Sequence, residues 1–75
     1  MPRYFFHVHD GVDRPDRDGT VLPGPGEAAS QAIVVCGEML KDLDGAFWRA
    51  RHWRMEVADD QGKAICALTF SGELF

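Results

Sequence analysis

The apolar residues of this chain change their spacing twice, and that change limits most strongly what the chain can fold into. From Arg3 to Asp10 (RYFFHVHD) aromatic and β-branched residues dominate and Gly11 closes the run, the pattern of a strand. Alternate side chains of a strand point to opposite faces, so Tyr4, Phe6 and Val8 share one face while Phe5, His7 and His9 share the other. From Gly24 to Gly45 the spacing becomes three and four. Ala29, Ala32, Ile33, Cys36, Met39, Leu40 and Leu43 then form one apolar stripe, the mark of a half-buried helix. From Trp53 to Phe70 the spacing returns to two.

The connections support this reading. GVDRPDRDG is the most polar stretch and reads as a loop or long hairpin connection, followed by a short strand at TVLP. Gly24 suits an N-cap with Pro25 at the first helical position, and Glu27 complements the positive end of the helix dipole. Gly45 suits the left-handed residue that ends a helix. Gly37, in mid-helix, suggests a close backbone contact, and Val34 projects away from the stripe. DDQG places Gly62 at a turn. A four-residue loop closed by Ala58 and Lys63 would set Val57 across from Ala64, Met55 from Cys66 and Trp53 from Leu68. The expected fold is α+β, a single domain over residues 1–75 in the order β-β-α-β-β, with one amphipathic helix on one face of a small antiparallel sheet.

Several of these segments together resemble a known family. PRYFFHVHDG, DGT followed by LP, the EAA helix start, VADDQGK and LTF are similar to a group of very short alphaproteobacterial (rhizobial-type) proteins catalogued as a domain of unknown function. The opening Y-F-F-H-V-x-D-G is the most specific part. The resemblance implies no activity. The helix start departs from it: Leu22-Pro23-Gly24-Pro25-Gly26 stands where the family pattern has Leu-Pro-Asp.

Composition narrows the function. Seventy-five residues bury only about 60% of the surface that the unfolded chain exposes, so small domains of this kind often add a disulfide, a metal or a second subunit. Net charge is −4, which argues against a general nucleic-acid binder. The two cysteines, Cys36 and Cys66, form no C-x-x-C pair, and both fall at core-facing positions where thiols are small hydrophobes. No secretion-signal pattern or membrane-length apolar run is present, so a cytoplasmic protein is expected. No nucleophile elbow, Walker loop or dinucleotide fingerprint occurs, so neither catalysis nor a cofactor is expected.

Three surfaces invite a ligand or partner. His7 and His9 share a strand face and would offer two imidazoles to a transition metal, with Asp10, the Asp-rich loop or His52 as further ligands. The bland alternative is that they serve the sheet. Arg49, Arg51 and Arg54 lie among Trp48, His52 and Trp53, an arrangement able to fork onto phosphates and stack bases, or simply to cover the tryptophans. Phe5, Val34, Ile65 and Ala67 are apolar positions that one helix cannot cover, and a homodimer would bury them. A calcium loop does not fit. With Asp16, Asp18 and Gly19 as positions three, five and six, Arg14 and Pro25 occupy the first and twelfth, where carboxylates are needed. The expected role is therefore a homodimeric binding or regulatory module; a transition-metal protein using His7 and His9, or an anion or nucleic-acid binder using Arg49, Arg51 and Arg54, is the alternative.

Overall fold

The computed structural model describes residues 1–43 and 45–75. Arg3–His9 forms β1, the centre of the N-terminal half. The polar stretch after it is not a plain loop. It returns along one edge of β1 as two fragments, β2 (Asp13–Arg14) and β3 (Thr20–Val21). Both pair antiparallel with β1: Val8 faces Arg14 and His9 faces Asp13 at one end, and Tyr4 faces Thr20 and Arg3 faces Val21 at the other. Pro15 lies between the fragments and has no N–H to give a ladder, which helps to explain why the arm is broken.

The helix α1 runs Pro25–Leu43, and the Ala28 amide closes its first turn on the Gly24 carbonyl at 3.1 Å. Gly24 and Pro25 thus begin the helix where the sequence places them. Its end differs. Gly45 has φ −64° and opens a second helix, α2 (Ala46–Ala50), so it is not a left-handed cap. The left-handed residue is Arg51, with φ 58°, which ends α2. Asp44, inside the expected helical run, lies outside the described residues.

β4 (His52–Asp59) and β5 (Ala64–Ser71) complete a five-stranded antiparallel sheet of order β2-β1-β4-β5, with β3 also on β1. Gly62, at φ +81°, supplies the left-handed turn residue, and the Asp59 carboxylate accepts from the Gln61 and Lys63 amides at 2.9 Å each. The expected register is corrected by two residues: Val57 faces Cys66, Met55 faces Leu68 and Trp53 faces Phe70. A slip of two keeps every side chain on its face, so the expected apolar face survives. The turn accounts for one residue of the shift, since Asp59 rather than Ala58 closes the loop with Lys63 and Ala58 faces Ala64; a bulge between Val57 and Ala58, which leaves Ile65 without a cross-strand partner, accounts for the other. Ile65, expected on the open face, is half-buried and packs against the core.

One side of the sheet supplies Tyr4, Phe6, Val8, Trp53, Met55 and Val57 to the core; α1 supplies Ala28, Ala32 and Cys36. The helix stripe is therefore rotated from the expected one. Ile33 is 64% exposed and Met39 40% exposed, while the small residues face inward. The reason is space: Trp53 and Met55 rise from the sheet and fill the interlayer, so the helix contributes little volume and sits close.

Candidate functional site

The broken arm is held by one carboxylate. Between β2 and β3 the amide of Phe6 meets no strand; Asp16 Oδ2 accepts its N–H at 3.1 Å. Oδ1 of the same residue accepts from the Asp18 and Gly19 amides at 3.1 and 3.0 Å. The amide of Asp16 donates in turn to His7 Nδ1 at 3.1 Å. Burial alone would raise the Asp16 carboxyl, but the amides of Gly19, Phe6 and Asp18, with His7 nearby, outweigh it and hold its pKa below the ordinary value. Gly19 has φ +71°, and a Cβ there would stand 2.8 Å from Arg3 Cγ and from Phe5 Cε2, so only glycine lets the arm lie this close.

Beside this arm the helix leaves a gap. α1 packs over β4 and β5. The inner face of β1 is itself buried, but between the helix and the arm an open groove of about 630 Å³ remains above it. Phe6, Val8 and Trp53 form its floor; Gln31, Val35, Met39, Asp42 and Leu43 form the helix wall; Asp10, Arg14, Pro15, Asp16 and Thr20 form the arm wall. Asp10 holds Arg14 through Nε at 3.2 Å. The rim therefore carries three carboxylates against one guanidinium. The groove was not legible in the sequence, because its walls come from segments far apart in the chain. One signal was available: Val35 and Met39 extend the apolar helix surface beyond what the sheet needs.

The opposite sheet edge is bare. No described residue pairs with the outer side of β5, and the eight residues Ala64–Ser71 include no charge and no proline. Natural edge strands are normally guarded by such residues, or by bulges; here the bulge sits only at the start of the strand.

His7 is committed to the Asp16 amide through Nδ1, and its ring lies parallel to Phe5 at 6.4 Å. His9 Nδ1 lies 2.7 Å from Asp13 Oδ1. Among the described residues no three of His, Cys, Asp and Glu gather in a group able to hold a metal ion. The two imidazoles share a strand face as expected, but each is tied to its own partner in the arm. Arg49 and Arg51 are exposed at the end of α2, while Arg54 lies on β4 with Glu56 at 3.5 Å and Thr69 Oγ1 at 3.2 Å. Phe5 is half-buried beneath the arm, whereas Val34 and Ala67 are exposed. Both cysteines are free; burial pushes both thiols above their ordinary pKa, with Cys66 adding to the effect on Cys36.

The fold and its surfaces define a small α+β domain: one main helix on an antiparallel sheet, a shallow groove on one flank and an unguarded edge on the other. The chain belongs to the family described as Domain of unknown function (DUF6894), whose model matches residues 3–71. No curated protein and no solved structure matches it. No helix among the described residues is long and apolar enough to cross a membrane.

Proposed function

We propose that the chain is a homodimeric binding module without catalytic activity, its two copies joined through the outer edges of β5. The carrying observation is the bare, uncharged eight-residue edge, a template on which an identical strand pairs antiparallel about a two-fold axis. A second feature supports it. Val35 and Met39 face the groove over β1, and helical geometry turns Ile33 about 160° from Val35, toward the β5 flank. Ile33 there is 64% exposed, and Leu68 and Phe70 stand on β5 partly uncovered. Pairing the edges brings these apolar groups of both copies together above the joined sheet, and adds buried area to a small core. Neither thiol supports a thiolate nucleophile, since burial raises both, the reverse of an activated cysteine.

Light scattering at micromolar concentration should give a mass near twice the 8.4 kDa monomer. Ala67→Lys with Thr69→Lys, both at exposed positions of the edge strand, should return the mass to one copy without altering the circular dichroism spectrum. A wild type that stays monomeric at the highest attainable concentration defeats the proposal.

A further inference from the structure

We propose that the groove between α1 and the β1 edge is a docking site for a segment of a partner protein that presents a basic side chain next to an apolar one. This rests on the binding-module reading but not on the dimer, since the groove lies on the flank of α1 away from β5.

Two features set the chemistry of the occupant. The groove is open to solvent and its floor residues Phe6, Val8 and Trp53 are already covered, so what it offers is a shallow apolar strip along Val35, Met39 and Leu43. A space of about 630 Å³ falls within the range of small-ligand sites, and its openness suits side chains laid in from outside. The rim is negative. Of Asp10, Asp16 and Asp42, the first is engaged by Arg14 and the second by backbone amides. Asp42 is exposed and has no hydrogen bond or ion pair among the described residues. Glu38 stands one turn before it on the same helix, outside the groove lining, and adds to the negative charge near Asp42. An ammonium or guanidinium at Asp42 places a neighbouring apolar side chain over Met39 and Val35. An acidic segment is repelled at the same place, so the rim selects as well as attracts.

The test is a titration of the ¹⁵N-labelled full chain at low salt, followed by amide shifts. The probes are acetyl-Leu-Arg-Phe-Lys-amide and its analogues with Gln or Glu at both basic positions. The basic probe should give saturable shifts centred on Phe6, Val35 and Met39, with the Gln and Glu probes weaker by roughly tenfold or more. Asp42→Lys should weaken the basic probe by about fivefold and Met39→Lys should abolish its binding. Both positions are exposed, so both variants should keep the native spectrum; if Met39→Lys does not, Asp42→Lys decides. Absence of shifts, shifts centred elsewhere, equal binding of the three probes, or indifference to Asp42→Lys overturns the proposal. Light scattering on the same samples reads the β5 edge separately, so failure of the groove and failure of the dimer are distinguishable.

Discussion

Asp16 is the residue on which the most local structure depends. One carboxylate satisfies three amides and its own amide anchors His7, so four polar contacts meet at a single position in the arm. Hydrogen bonds to a charged group contribute more than neutral ones, and partial exposure lowers the figure, so Asp16→Ala should cost about 1–2 kcal/mol in urea unfolding at neutral pH. The acid response has a definite sign. Because the folded carboxyl titrates below its ordinary value of 3.8, its contribution is present above that value and is lost as pH falls through the folded pKa. Wild type should therefore lose more stability between about pH 6 and about pH 3 than Asp16→Asn does; equal losses contradict the assignment. In the sequence the run PDRDG reads correctly as a turn, since the bonds to Asp18 and Gly19 are local. The bond to Phe6 spans ten residues, and no local pattern announces it.

Elements were legible where they depend on their own residues and obscure where they depend on a neighbour. The start of α1 follows from Gly24 and Pro25 alone. Its buried face does not, because hydrophobic periodicity weights Ile33 and Met39 above Ala28, whereas the bulk of Trp53 and Met55 reverses that preference. The hairpin register shifts partly at the turn, which Asp59 rather than Ala58 closes with Lys63, and partly at a bulge around Ile65, whose side chain packs against the core. The groove was invisible for the same cause, being the gap left when the helix settles over β4 and β5. Gly37 offers a direct measurement at this scale. The sequence suggested a close contact, yet nothing lies within 4 Å of where its Cβ would be. Gly37→Ala should then raise stability by about 0.5–1 kcal/mol, and the melting temperature by several degrees. A lower melting temperature refutes this.

At the scale of the whole molecule, the core cluster among the described residues is nine residues, three of them small helix residues. A second copy would add burial that the single chain lacks, and unfolding would then be coupled to dissociation. The melting temperature should rise by about 4 °C for each tenfold increase in protein concentration, read by circular dichroism over two decades. A melting temperature independent of concentration contradicts coupled dissociation. The Ala67→Lys, Thr69→Lys variant should show no such rise.

The broken arm also has a consequence for the reach of any assembly. A sheet with two competent edges is bivalent and can grow without limit, copy upon copy. Here one edge is already occupied by β2 and β3, with the Asp16 carboxylate filling the gap between them. If the copies pair through β5 as proposed, each molecule has a valence of one. Two copies that meet through β5 consume each other's free edge, and growth terminates at the pair. In the proposed pairing, the same polar arm that shapes the groove would act as a chain stopper, so that the β5 edges could join without seeding a fibre.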